Sequence, residues 1–124
     1  MDLGLKGKTA IVTGGGSNIG RAISLTLAKE GSIVVIAELD EAQGQKVADQ
    51  IKSKGGTAIA IKADVTDWDS VKSMVEKTLD TFQTTNILVN CAVWTYEQLF
   101  VETSNRSKWQ KEIEVNYWGV INCV

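Results

Sequence analysis

Short apolar runs alternate with segments of helical periodicity along the whole chain, and this alternation limits the possible folds most strongly. The apolar runs are β-branched and nearly continuous, as is typical of strands buried on both faces. They cover residues 9–13 (TAIVT), 32–37 (SIVVIA), 57–63 (TAIAIKA) and 86–92 (NILVNCA). The order βαβαβαβα predicts an α/β fold, a doubly wound parallel sheet with helices on both faces, formed by residues 1–124 as one domain.

The helical segments carry apolar residues at the spacing of one core-facing stripe. In the first two helices the stripes are Ile19, Ile23 and Leu27 before Gly31, and Val47, Ala48 and Ile51 before Gly55 and Gly56, with the glycines as C-terminal caps. The third helix, capped by Thr66 or Asp67, carries Val71, Met74, Val75, Thr78, Leu79 and Phe82. The fourth is predicted to turn Trp109, Ile113, Asn116 or Tyr117, and Val120 inward.

Composition and charge exclude several classes of partner. With 44% hydrophobic and 23% charged residues, the 124-residue chain has the makeup of a soluble globular protein. The net charge of -2 offers no basic surface, so we expect neither nucleic acid nor anionic lipid as a partner. No apolar stretch approaches the roughly 20 residues of a membrane span, and the N-terminus lacks the apolar core of a signal peptide. These features predict a cytoplasmic protein.

Metal and thiol chemistry are not expected. The chain has no histidine, and its cysteines are Cys91 and Cys123. These residues cannot form a common zinc site or a Cys/His nucleophile pair, so no metal is predicted. We interpret both cysteines as small buried residues.

The glycine-rich stretch TGGGSNIG, residues 13–20, lies where the first strand passes into the first helix. In a doubly wound sheet this is the edge at which ligands bind. Gly14 begins the turn, and the amides of Ser17, Asn18 and Ile19 open the helix, where free N–H groups and the helix dipole favour a pyrophosphate. Gly20 would let the helix pack close to the strand. A glycine-rich turn without a ligand is the alternative.

Glu38 ends the second strand, roughly twenty residues after the glycines, where dinucleotide folds place an acid on the adenosine ribose hydroxyls. A helix-capping or merely solvated carboxylate is the alternative. Leu39 stands where an arginine would be needed to hold a 2′-phosphate. The pair therefore favours NAD over NADP.

These motifs, together with the pair Asp64–Val65, the NCA of Asn90–Ala92 and the VNYWG that contains Asn116, resemble the short-chain dehydrogenase/reductase family in order and spacing. The resemblance spans nearly the whole chain. It implies a Rossmann fold and NAD(H)-dependent hydride transfer between the cofactor and a small-molecule secondary alcohol or ketone.

The resemblance also assigns roles to single residues. Asp64 would accept a hydrogen bond from the adenine amino group, and the Val65 amide would contact the same ring. Asn90 would brace the turn after the fourth strand, and Ala92 would face the nicotinamide ribose. Asn116 would bend its helix and hold a water in the catalytic proton relay. If the resemblance is set aside, Asp64 is interpreted as a loop carboxylate that accepts hydrogen bonds from nearby amides. Asn116 is then interpreted as a helix residue with an unusual packing or hydrogen-bonding role.

Two positions depart from the family pattern. Asn18 replaces the middle glycine of the turn, and asparagine is among the few residues that tolerate the left-handed region. Val93 replaces the glycine of the usual NAG, where a β-branched side chain resists positive φ and adds bulk beside the nicotinamide. Val93 supports an alternative function, a non-catalytic NAD-binding partner subunit or nucleotide sensor.

The family's catalytic serine and YxxxK pair have no counterpart in these 124 residues, because neither Tyr96 nor Tyr117 has a lysine four residues on. We expect the chain to be the amino-terminal half of a longer domain, incomplete on its carboxyl-terminal side, inactive alone, and a homo- or hetero-oligomer when complete. The bulky side chains after the fourth strand hint at an apolar substrate, although core packing or a subunit contact explains them equally; they are Trp94, Tyr96, Leu99 and Phe100.

Overall fold

The computed structural model describes residues 1–97 and 106–124. The strands are β1 (Thr9–Thr13), β2 (Ile33–Glu38), β3 (Thr57–Lys62) and β4 (Ile87–Asn90). The helices are α1 (Asn18–Lys29), α2 (Glu41–Ser53), α3 (Trp68–Phe82) and α4 (Arg106–Ile113), followed by a π-helical turn (Glu114–Trp118) and α5 (Gly119–Cys123). The predicted alternation of strands and helices is confirmed, whereas Leu99 and Phe100 lie outside the described residues.

The strands form one parallel sheet in the order β3-β2-β1-β4. Thr13 at the end of β1 pairs with Ala37 of β2 on one side and with Asn90 of β4 on the other. The carboxyl ends of these strands therefore lie at one edge. Since the chain builds outward to β3 and then crosses to the other side of β1, strand order reverses between β1 and β4, as the doubly wound prediction requires.

The core occupies both faces of the sheet. Ile11 and Val35 pack with Met74 of α3 on one face, while Val12 and Val34 pack on the other, in the cluster that includes buried residues of α2. Neighbouring residues of a strand point to opposite faces, so both must be apolar when both faces are covered. This requirement explains why the strands appear in the sequence as continuous apolar runs.

The ends of the helices follow the predicted caps in part. Asp67, and not Thr66, caps α3, with its carboxylate accepting from the amides of Asp69 and Ser70. Gly31 and Gly55 both have positive φ just beyond α1 and α2, as expected for C-terminal caps.

The prediction of a core-facing apolar stripe on α3 is confirmed except at one position. Val71, Met74 and Thr78 are buried, but Leu79 is 40% exposed. At about 100° of rotation per residue, Leu79 lies on the flank of the stripe that these three residues define. An apolar side chain at the margin of a helix face remains partly in water.

The predicted inward face of the fourth helix is wrong at its central positions, whereas Trp109 and Val120 are half-buried. Ile113 and Tyr117 are 54% and 58% exposed, and Asn116 is exposed as well, whereas Gly119 is buried. The prediction assumed an uninterrupted period of 3.6 residues. The π-helical turn adds a residue to that period and rotates Asn116, Tyr117 and the residues after them relative to α4. Ile113 precedes the turn, and its exposure is not explained by this rotation.

The cysteines are less buried than expected. Both are partly exposed; Cys123 packs against the core beside α3, and Cys91 follows β4. Burial raises the pKa of the Cys123 thiol, which favours its neutral form. Among the described residues, no helix has the length and apolar character needed to cross a membrane.

Candidate functional site

The glycine-rich turn passes close to β4, and two of its glycines are required by geometry. Gly14 has φ +61°, and a Cβ placed there would lie 2.9 Å from both Cα and N of Ala92. A Cβ on Gly20 would overlap the carbonyl oxygen of Gly14. Helix α1 therefore begins almost in contact with the end of β1, as the sequence predicted for Gly20.

The start of α1 agrees with the sequence except at Ile19. Ser17 is the N-cap residue in an extended conformation, and its side chain caps no amide within the described structure. Asn18 opens the helix with φ +46°, so the left-handed backbone expected at this position is present. Ile19 was predicted to begin the core-facing stripe of this helix, and this prediction is wrong: the side chain is 74% exposed because the first turn of α1 lines the cleft instead of the core. The first amides of α1 consequently open toward a cleft.

The cleft has a volume of about 590 Å³ and lies at the carboxyl edge of the sheet, where strand order reverses. Every residue predicted to contact a cofactor lines it: Gly14, Ser17, Asn18, Ile19, Gly20, Glu38, Leu39, Asp64, Val65, Asn90, Ala92 and Val93. Further lining residues that were not predicted to contact a cofactor are Ala37, Ala63, Cys91, Trp94, Lys111 and Val115. Positions as far apart in the sequence as Gly14 and Val115 thus share one concave surface.

Glu38 holds the glycine-rich turn from the end of β2. Its Oε2 accepts a hydrogen bond of 3.0 Å from the Gly16 amide, and its Oε1 accepts one of 3.0 Å from the Leu39 amide. The N-cap of α2 is Asp40, so Glu38 is not the helix cap that the sequence left open. Each carboxylate oxygen retains a lone pair for a further donor.

Asp64 and Val65 form the wall of the cleft beyond β3. Asp64 Oδ1 accepts from the amide and the hydroxyl of Thr66, at 2.9 and 2.7 Å, so the alternative of a loop carboxylate describes this oxygen. Asp64 Oδ2 has no hydrogen-bond partner among residues 1–97 and 106–124. The Val65 carbonyl accepts from Asn122 Nδ2 at 2.9 Å, which ties this loop to α5.

Thr13, which the sequence did not identify, fixes the turn after β4. Its hydroxyl accepts from the amides of Cys91 and Ala92, both at 3.1 Å, and donates to the Val89 carbonyl at 3.5 Å. The Asn90 side chain makes no hydrogen bond within the described part of the chain. The hydroxyl of Thr13, and not the Asn90 amide, therefore braces this turn in the structure.

Val93 projects into the open cleft. It is 68% exposed, and its φ does not lie in the left-handed region. The backbone thus accommodates a β-branched residue here without the strain that positive φ would cause. The bulk of the side chain remains beside the cleft, as the sequence predicted.

Asn116 does not line the cleft but holds the segment that does. It lies in the π-helical turn, where its Oδ1 accepts from the Trp94 amide at 2.9 Å and its Nδ2 donates to the Trp94 carbonyl at 2.8 Å. The helix irregularity expected at this asparagine is present. Its side chain positions the backbone directly after Val93.

The same segment is fixed to α4 by aromatic and charged contacts. The rings of Trp94 and Tyr96 are stacked, with centroids 6.2 Å apart. Lys111 Nζ lies 4.5 Å from the Trp94 ring centroid and Lys108 Nζ 4.4 Å from that of Tyr96, within cation–π range. Glu112 Oε1 accepts from the Tyr96 amide at 2.8 Å. The spacing of these residues in the sequence does not reveal the pairing.

A parallel α/β sheet with a glycine-lined cleft at its switch point defines the class of nucleotide-binding α/β proteins. Residues 8–124 match the family model described as short chain dehydrogenase, and the chain belongs to this family. The resemblance inferred from the sequence motifs is therefore confirmed.

Individual relatives agree with this assignment. The chain is 39% identical over 120 residues to an uncharacterized oxidoreductase of Thermotoga maritima, covering 96% of this chain and 46% of the relative. It is 36% identical to a 3-oxoacyl-(acyl-carrier-protein) reductase of Staphylococcus aureus, covering 94% and 48%. A crystal structure of 3-ketoacyl-(acyl-carrier-protein) reductase from Brucella melitensis complexed with NADH superposes with a TM-score of 0.88 at 32% identity, covering 96% and 48%. The chain spans about half the length of the curated relatives it matches.

Proposed function

We propose that the cleft binds a nicotinamide dinucleotide and that the protein is an NAD(H)-dependent oxidoreductase acting on a secondary alcohol or ketone. The observation that carries this proposal is the order of groups across the sheet edge. Asp64 follows β3, Glu38 ends β2, the glycine-rich turn follows β1, and Ala92 follows β4. Support also comes from the Brucella melitensis relative, which was crystallised with NADH.

The described residues fit such a cofactor. Gly14 lines the cleft, and a Cβ there would meet the Ala92 backbone at 2.9 Å, so the glycine lets the turn lie against the end of β4 as bare backbone. The amides at the start of α1 suit a pyrophosphate, since they are free donors at the positive end of a helix dipole. The Oδ2 atom of Asp64 and the Val65 amide are available for adenine. When bound, the cofactor supplies or accepts the hydride.

Glu38 determines the choice of NAD over NADP in this proposal. Its carboxylate accepts hydrogen bonds from ribose hydroxyls and repels a 2′-phosphate, and Leu39 offers no positive charge. We expect NADH to bind at least about tenfold more tightly than NADPH, a difference of about 1.4 kcal/mol. The double variant Glu38→Ala with Leu39→Arg is expected to move the preference toward NADPH.

Calorimetric titration of both cofactors tests this expectation. The matched control is Glu41→Ala, which removes an exposed carboxylate from the first turn of α2 outside the cleft and leaves the preference unchanged. Equal or tighter binding of NADPH by the wild-type protein contradicts the proposed role of Glu38.

The YxxxK pair that the family resemblance implies for catalysis is not found at these 124 positions, because neither Tyr96 nor Tyr117 is followed by a lysine at the fourth position. In the proposal, Asn116 contributes by positioning Trp94 and the turn beside the reacting end of the cleft. A polypeptide limited to residues 1–124 is accordingly proposed to bind dinucleotide without transferring hydride.

A second candidate function, a non-catalytic NAD-binding subunit or sensor, is favoured by Val93. This side chain stands at the β4 end of the cleft, where bulk would separate a nicotinamide from a substrate. For a slow enzyme, Val93→Gly is expected to raise the rate of NADH oxidation or tighten NADH binding several-fold. Stopped-flow oxidation of NADH by simple ketones, compared with Val93→Ala, measures the effect. An unchanged or slower glycine variant indicates that Val93 is accommodated during catalysis.

A further inference from the structure

We propose that Lys111 binds an anionic group, a carboxylate or a phosphate, at the β4 end of the cleft. This inference rests on the proposed function, because it assigns a charge preference to the site where substrate would meet cofactor. Lys111 lies on α4 and lines the cleft together with Trp94 and Val115. Among the described residues that line the cleft, it alone carries a positive charge.

The position of the Lys111 ammonium is set by a chain of contacts. Its Nζ lies 4.5 Å from the centroid of the Trp94 ring, and the Trp94 backbone is held by both amide atoms of Asn116. Stacking against Tyr96 further fixes the ring. A lysine side chain loses considerable rotamer freedom when it binds a ligand. This loss is smaller for Lys111, because the Trp94 ring already restricts the side chain before any ligand binds.

The charge of Lys111 has no carboxylate partner in the part of the chain that the structure describes. No carboxylate in residues 1–97 and 106–124 lies within 4.0 Å of its Nζ. The adjacent Glu112 directs Oε1 to the Tyr96 amide instead. The carboxylates that line the cleft, Glu38 and Asp64, follow β2 and β3 on the far side of the glycine-rich turn. A cation in a concave site that has an aromatic contact but no carboxylate partner among the described residues attracts anionic ligands.

The sheet order favours the substrate as the source of the anion. A dinucleotide that lies along the edge from β3 to β4 would place its diphosphate at the turn after β1. Lys111 faces Trp94, beyond the end of β4, where the reacting half of the cofactor and the substrate would meet. A ketone that carries a carboxylate or phosphate is therefore the substrate class this cleft would select. The diphosphate of the cofactor is the other source of the same chemistry.

Lys108 supplies a matched control for the experiment. It lies on the same helix, with its Nζ 4.4 Å from the Tyr96 ring, but it does not line the cleft. Lys111→Gln and Lys108→Gln each remove one charge and one cation–π contact from α4. The binding of NADH, ADP and acetoacetate to each variant is measured by calorimetry, with acetoacetate added to protein saturated with NAD.

The two sources give different results. If the anion belongs to the substrate, Lys111→Gln lowers the affinity for acetoacetate by about tenfold or more, as expected for the loss of a hydrogen bond to a charged group. The affinities for NADH and ADP then remain unchanged. If the anion belongs to the cofactor, the affinities for NADH and for ADP both fall by that factor. In either case Lys108→Gln behaves as the wild-type protein. The proposal is overturned if Lys111→Gln and Lys108→Gln bind all three ligands with the same affinities.

A readout that does not involve the nucleotide separates this inference from the proposed function. Inorganic pyrophosphate and acetoacetate are each titrated against the tryptophan emission of the protein without cofactor. A response that disappears in both Lys111→Gln and Trp94→Phe supports the anion site even if the wild-type protein binds no dinucleotide. The absence of a response to both anions in the wild-type protein, together with unaltered NADH binding in Lys111→Gln, rejects the site.

Discussion

Replacing Gly20 with alanine is expected to abolish dinucleotide binding and to lower the free energy of unfolding by about 3 kcal/mol, the upper part of the usual range for overpacking. A Cβ at this position would overlap the Gly14 carbonyl oxygen and would lie 3.2 Å from the Gly15 Cα. Both atoms belong to the backbone of the turn, so no side-chain rotation relieves the clash. Helix α1 must move away from β1, and its first amides leave their place at the cleft.

Gly44→Ala is the matched control for Gly20→Ala. Gly44 is also a buried glycine near the start of a helix, but the atoms nearest to a Cβ there are side-chain carbons of Glu38 at 3.2 Å and Ala60 at 3.5 Å. Alanine gains about 1 kcal/mol of helix propensity over glycine, which offsets this contact. Urea unfolding and NADH titration compare the variants. A Gly20→Ala protein that unfolds and binds like the wild type would show that the helix does not need to approach the strand so closely.

The fold was predictable because its main determinants are local. A strand covered by helices on both faces needs apolar residues at successive positions, as in Ile11 and Val12, and this pattern is visible without tertiary information. The glycine-rich turn was predictable for a similar reason. Asn18 adopts the left-handed backbone that its side chain tolerates, and that requirement belongs to the residue itself.

The errors arise where distant contacts override a local pattern. Tyr117 continues the helical period of α4 in the sequence, but the π-helical turn between α4 and α5 shifts that period. Asn116 lies in this turn, and both polar atoms of its side-chain amide form hydrogen bonds with the Trp94 backbone, 22 residues away along the chain. A one-dimensional period contains no information about such a partner.

Parts of the candidate site were missed for the same reason. Lys111 enters the cleft only because the segment after β4 is folded back onto α4, and the intervening residues give no signal of it. The residues that follow strand ends were easier to find, since parallel topology brings them to one edge. Glu38 and Ala92 belong to this group, and the structure places both at the cleft.

Thr13→Val is expected to loosen the turn after β4 and to lower the free energy of unfolding by about 2 to 4 kcal/mol, since an amide left without its acceptor costs about 1–3 kcal/mol. The substitution preserves shape but removes the oxygen that accepts from the Cys91 and Ala92 amides. Because the Ala92 backbone lies against Gly14, loosening this turn also opens the cleft, and NADH binding weakens.

Two controls isolate the role of the Thr13 hydroxyl. Thr13→Ser keeps the acceptor and retains most of the stability. Thr9→Val makes the identical change four residues earlier on the same face of β1, where the fully buried hydroxyl oxygen of Thr9 has no hydrogen-bond partner among the described residues. Removing an unpaired buried hydroxyl is neutral or stabilising, because its desolvation is uncompensated in the folded state. Urea unfolding and hydrogen exchange of the Cys91 and Ala92 amides measure the difference; equal stability of Thr13→Val and Thr9→Val contradicts the bracing role of Thr13.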